Sequence, residues 1–186
     1  MAKIDSSRLE SCLNGYRPFW VIILLSYALD QLTKWIVVTH DALPIHSYPG
    51  RIDPGIEVIN GFFYLVHVGN RGAAWSLFSD YSFFLGLLAV CALMAIWIFR
   101  RAIALSRPCN QLAIGLISGG ILGNLTDRIT RGEVVDFLLF RFGNWDYPVF
   151  NVADSTICVG VIIYIIANWN QPAPQKSPSS PDVGNP

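Results

Sequence analysis

Three observations predict an all-α membrane fold, four transmembrane helices with a small β-sheet formed by the loops of one face. The chain has four long apolar stretches, its 186 residues are 53% hydrophobic and 14% charged, and its intramembrane polar groups collect near one end of the stretches. An ordinary soluble domain is about 25% charged, and mean hydropathy here is +0.44. Formal net charge is zero, so no nucleic-acid partner and no polybasic membrane patch is indicated.

The spans fall at 18–38, 81–99, 109–128 and 152–169, each close to the ~20 residues that cross a hydrocarbon core. Trp20, Trp35, Trp97 and Trp169 stand at span ends, where amphipathic rings favour the interface. A short connection after the second span holds Arg100, Arg101 and Arg107; by the positive-inside rule it is cytoplasmic, as are both termini. The start, with its basic residues, apolar run and Ser26-Tyr27-Ala28, has some character of a cleavable signal peptide. Apolar residues resume at 35–38, which favours an uncleaved first span.

Between the spans, 56–59 and 62–68 are β-prone runs around Asn60-Gly61, a strong hairpin dipeptide. Residues 134–142 are β-prone again and end at Gly143-Asn144. The chain therefore divides into a cytoplasmic segment (1–17), a four-helix membrane domain (18–170) with β insertions at about 40–80 and 129–151, and a disordered Pro/Ser-rich cytoplasmic tail (171–186).

Ionisable groups in lipid are costly and mark working sites by default. Asp30 and Lys34 are i and i+4 on one helix face, an ion pair whose plain role is structural. Gly115, Gly119 and Gly123, with Gly120 alongside, let helix backbones approach closely. Their stripes run on to Asn124, Asp127 and Arg128, which need partners where water is scarce. Asp136 interrupts the apolar run 134–139, so desolvation disfavours its ionised form. Asp154 opens the fourth span, where a helix start favours an anion and a helix cap is the plain reading. Two carboxylates in such different settings suit an acid and a base. The cysteines read as small buried hydrophobes, and neither Cys nor His spacing indicates a metal. Acids inside a bundle also suit a small ion-coupled transporter, which would place them nearer the midplane. A non-catalytic assembly protein would need only the packing glycines and ion pairs.

Taken in order, five blocks resemble the lipoprotein signal peptidase (signal peptidase II) family: Asp30-Gln31-Leu32-Thr33-Lys34, Asn70-Arg71-Gly72-Ala73-Ala74-Trp75-Ser76, the run from Gly119 to Arg128, Val134-Val135-Asp136-Phe137, and Phe150-Asn151-Val152-Ala153-Asp154-Ser155. The resemblance covers residues 30–155. It implies a multi-pass aspartyl protease of the bacterial cell inner membrane, with the β-sheet and active site at the periplasmic face. Its substrates would be prolipoproteins whose lipobox cysteine carries diacylglycerol, cut just before that cysteine; membrane lipids would contact it and globomycin would inhibit it. The catalytic pair maps to Asp136 and Asp154, and supporting positions to Asn70, Gly72, Asn124, Arg128 and Asn151, with Asp30, Lys34 and Asp127 behind them. No cofactor is implied.

Overall fold

The computed structural model describes residues 15–43, 45–47, 55–72 and 81–169. The expected tail at 171–186, the first 14 residues and positions 73–80, including part of the second motif block, lie outside the described residues.

Four helices stand where the apolar stretches predict them: α1 (Arg17–Thr39), α2 (Ser82–Ile98), α3 (Pro108–Arg131) and α4 (Val152–Asn168). Pro18 and Pro108 open α1 and α3, at first-turn positions where a missing N–H costs nothing. α3 ends in Arg128 and Arg131, cations suited to a helix C-terminus, followed by Gly132 at φ 76°. On length and composition alone, α1 is the one helix among the described residues long and apolar enough to cross a membrane. α2 and α4 are apolar but 17 residues long, the lower limit for a span. α3 has 24 residues but carries Asn110, Gln111, Asn124, Asp127 and Arg128, which lowers its hydropathy.

Packing explains that composition. Asp30, Lys34, Asn110, Gln111, Ser118 and Asp127 are buried, while Leu24, Leu25, Phe83, Leu88, Ile98 and Ile166 face outward. A soluble domain rarely exposes so much contiguous apolar surface. α2 buries no residue completely, whereas α3 lies between α1 and α4 on small residues. A Cβ on Gly119 would meet Ser26, and one on Gly120 would meet the Ala153 carbonyl and Thr156. Gly160 of α4 fits against the Ala113 carbonyl and Ile117. The described cysteines depart from expectation: Cys91, Cys109 and Cys158 are exposed on helix surfaces, and Cys12 lies outside the described residues. Helices whose outer faces are apolar give no reason to turn a small apolar thiol inward, and the interfaces select glycine instead.

The sheet contains both β-prone regions. β1 (His46–Ser47), β2 (Ile56–Ile59), β3 (Phe63–Asn70), β4 (Val134–Phe142) and β5 (Trp145–Asp146) form it. β2 and β3 make the hairpin expected at Asn60-Gly61, with Gly61 at φ 68°. β3 pairs antiparallel with β4, placing Val68 opposite Asp136 and Asn70 opposite Val134. The parallel β1–β3 pairing and short β5 carry no comparable sequence signal. Asp127 near the end of α3 accepts from Val135 N at 3.2 Å, fixing β4 to the bundle.

Candidate active site

Asp136 and Asp154 come from different elements and reach one cavity. Asp136 lies on β4 and Asp154 in the first turn of α4. Both line a cavity of about 480 Å3, together with Asn70, Gly72, Asn124 and Arg128.

Asn151 joins the two acids. It is the N-cap of α4, and its side-chain oxygen accepts from Asp154 N at 3.0 Å. Asp154 Oδ2 accepts from Asn151 N at 3.3 Å, closing a capping box. The Asn151 oxygen being used by the cap, its amide nitrogen faces the other way and donates to Asp136 Oδ1 at 2.7 Å. Asp154 is therefore the third residue of the helix rather than its N-cap, and it takes part in the cap while also facing the cavity.

The second oxygen of Asp136 accepts from Asn70 Nδ2 at 2.9 Å. Asn70 and Asp136 sit two positions apart across the β3–β4 ladder, a diagonal that puts both on one face of the sheet. Asn70 Oδ1 in turn accepts from Gly72 N at 2.9 Å, and the Gly72 carbonyl accepts from Arg128 at 3.0 Å. The Arg128 Nε is buried and has no hydrogen-bond partner among the described residues. Asp154 Oδ1 accepts from Asn124 Nδ2 at 2.8 Å.

Asp136 is 3% exposed. Burial pushes its carboxyl up to about 7, and the neighbouring Asp154 carboxylate adds to the rise; the Asn70 and Asn151 amides and the Lys34 cation oppose it. Near neutral pH the cavity thus presents a carboxylic acid beside a second carboxyl group, a combination that polarises a carbonyl and activates water without a metal. The described residues contain no group of three or more His, Cys, Asp or Glu arranged to hold a metal ion.

Behind this layer Asp30, Lys34 and Asp127 are joined. Lys34 Nζ lies 2.9 Å from Asp30 and 2.8 Å from Asp127, with all three residues at most 1% exposed. The pair expected within α1 is thus a triad between α1 and α3. Asp30 Oδ1 also accepts from Ala153 N at 2.8 Å, which gives a free N–H of α4 a partner. Gln31, which spacing did not single out, donates to the Asp30 carboxylate and to the Gly123 carbonyl. Tyr147, Pro148, Val149, Ser155 and Cys158 also line the cavity; Ser155 closes the last motif block, and the signal of the others in the sequence is only nearness to Asp154. A shallower groove of about 240 Å3 runs along α2 past Leu85, Leu88 and Ala92, and Asn124, Arg128 and Ile157 line both spaces.

Residues 22–170 match the family model described as Signal peptidase (SPase) II. The chain is 38% identical over 148 residues to a lipoprotein signal peptidase of Bacillus pumilus, covering 80% of this chain and 90% of that one. It is 40% identical over 165 residues to a lipoprotein signal peptidase of Nitratidesulfovibrio vulgaris, covering 87% and 94%. A solved structure described as a bacterial membrane enzyme superposes with a TM-score of 0.68 at 34% identity, over 86% of this chain and 92% of that one.

Proposed function

The chain belongs to the signal peptidase II family, and from that premise we propose that Asp136 and Asp154 are the catalytic pair of a membrane aspartyl endopeptidase. This hydrolase removes the signal peptide from diacylglyceryl-modified prolipoproteins, cutting before the lipidated cysteine. One observation carries the assignment: the two carboxyl groups line one cavity and are tied to a single asparagine, Asn151, which donates its side-chain amide to Asp136 and its backbone N–H to Asp154.

The pair holds one proton, because two neighbouring carboxylates do not both ionise easily. Asp136, the more deeply buried and the one pushed to about 7, carries it; Asp154 is the base. Asp154 takes a proton from a water held between the acids while the water oxygen attacks the scissile carbonyl carbon. Asp136 passes its proton to the carbonyl oxygen, giving a neutral tetrahedral diol. On collapse the C–N bond breaks, the leaving nitrogen takes the proton from Asp154, and one diol hydroxyl returns its proton to Asp136. The products are the carboxyl end of the signal peptide and the free amine of the lipidated cysteine. Asn70 and Gly72 line the peptide's path, and Asn124, Arg128 and Asn151 position the acids and substrate. The substrate's acyl chains remain among lipids along the apolar groove beside α2, and globomycin competes for the main cavity.

In this reading all four helices span the inner membrane, both termini are cytoplasmic and the site opens at the periplasmic face. The domain limits are those read from the sequence: 1–17, 18–170 and 171–186.

Purified Asp136→Asn and Asp154→Asn variants, offered a diacylglyceryl-modified peptide, are expected to lose at least ~1,000-fold in kcat while eluting and melting as folded protein. Cleavage retained by both variants would remove the pair from the mechanism.

A further inference from the structure

Lys34 is the most deeply enclosed cation among the described residues, and its three donors are all spent. They go to Asp30 Oδ2 at 2.9 Å, Asp127 Oδ2 at 2.8 Å and Asn124 Oδ1 at 2.9 Å. Two carboxylates already surround it with more than enough opposite charge, so ion pairing does not require the third contact. The third contact reaches an amide that donates to Asp154.

Asn124 Oδ1 receives a second donor, Asn151 Nδ2, at 3.0 Å. With its oxygen held from two sides, the amide nitrogen of Asn124 faces Asp154 Oδ1 at 2.8 Å. Turning the amide over would set an NH2 group against an ammonium and against another NH2, and an oxygen against a carboxylate. An ammonium donates and never accepts, so only one orientation satisfies every group. A serine, asparagine or glutamine at position 34 would itself accept either orientation and leave only Asn151 and Asp154 to oppose the turn.

We propose that Lys34 is a positioning residue that acts through Asn124: its cation fixes the orientation of the Asn124 amide, and through it the place of Asp154 against Asp136. This rests on Asp136 and Asp154 being the catalytic pair. Lys34 is not among the residues that line the cavity, and its contribution appears in turnover rather than binding.

The test is a double-mutant cycle on cleavage of a diacylglyceryl-modified peptide by full-length protein in detergent, comparing Lys34→Met, Asn124→Ala and the double variant. Lys34→Met is expected to lower kcat at least ~100-fold with KM within ~3-fold, the signature of a contribution made to the transition state. In the Asn124→Ala background the same change is expected to lower kcat by no more than ~3-fold, because the amide it orients is gone. Gln111→Leu serves as control: Gln111 joins α1 to α3 at the opposite end, through Gly15 O at 3.0 Å and Phe19 N at 3.3 Å. It lowers Tm and is expected to leave kcat of the folded protein unchanged. If Lys34→Met does not fold, Lys34→Gln with Asp127→Asn replaces it in both arms, since removing a cation and an acid together leaves the net charge of the triad unchanged.

An equal loss from the Lys34 change in both backgrounds, or a control whose kcat falls in step with its Tm, overturns the proposal. Those outcomes leave the catalytic assignment standing. That assignment fails only if the Asp136→Asn and Asp154→Asn variants both still cleave.

Discussion

Asp136 gains its chemistry from where a strand carries it. In a peptide its carboxyl would titrate at 3.8, and in the fold it rises to about 7. The folded state therefore binds a proton that the unfolded chain has released, and stability falls as pH rises through that interval. The contribution is complete below about 3.8 and gone above about 7. In the proposed mechanism turnover depends on the same proton, so kcat is expected to decline on an alkaline limb centred near pH 7. Asp136→Asn has no carboxyl to titrate, and its melting temperature is expected to fall less than wild type's between pH 5 and 8. Parallel melting curves for the two proteins across that range would contradict the assignment of the proton to Asp136.

The elements bring these residues together by close approach, and α3 does most of it. Gly119 and Gly120 let it lie against α1 and α4, and Gly123 leaves room for the Asp30 carboxylate beside Ala153. Gly120→Leu would drive a side chain into the Ala153 carbonyl and Thr156, directly below Asp154. Overpacking of this kind costs about 1–3 kcal/mol, and kcat is expected to fall because α4 shifts at its first turn. Gly132 offers a cleaner loss of stability. It is open around its Cβ position but held at φ 76° between α3 and β4, so Gly132→Val is expected to cost about 1–2 kcal/mol in backbone strain, read as a lower Tm. The helices and the β2–β3 hairpin were legible because apolar length, Pro at helix starts and Asn-Gly are local signals. The dyad was legible only as two acids in contrasting settings. Asn151 as the link between them, the Lys34–Asp127 pair and the parallel β1–β3 pairing join positions far apart in the chain, and no local pattern encodes such contacts. The described cysteines lie outward because the outer faces of the helices are themselves apolar, so burial offers a thiol no advantage there.

At the scale of the molecule, a polar interior inside an apolar exterior fixes the surroundings, and the site's position at one end of the bundle ties its chemistry to one face. The Asp30, Asn124 and Asp154 end is the sheet's end, since Ala153 N reaches Asp30 and Val135 N reaches Asp127. The opposite end carries the connection with Arg100, Arg101 and Arg107, beside the cluster of Tyr16, Trp20 and Trp97. Arg100 stacks over Trp97 at 4.8 Å, an arrangement suited to an interface where ring and cation both meet headgroups. Three arginines in so short a connection resist translocation strongly, so in the proposed orientation that end lies in the cytoplasm and the cavity with Asp136 and Asp154 lies outside. Single cysteines at two exposed positions test this orientation in a background whose native cysteines are serine. Asn144→Cys in the β4–β5 turn is expected to react with a membrane-impermeant maleimide in intact spheroplasts, and Arg101→Cys only after lysis. The reverse labelling pattern would put the two aspartates on the cytoplasmic side, where a secreted prolipoprotein's lipidated cysteine does not reach them.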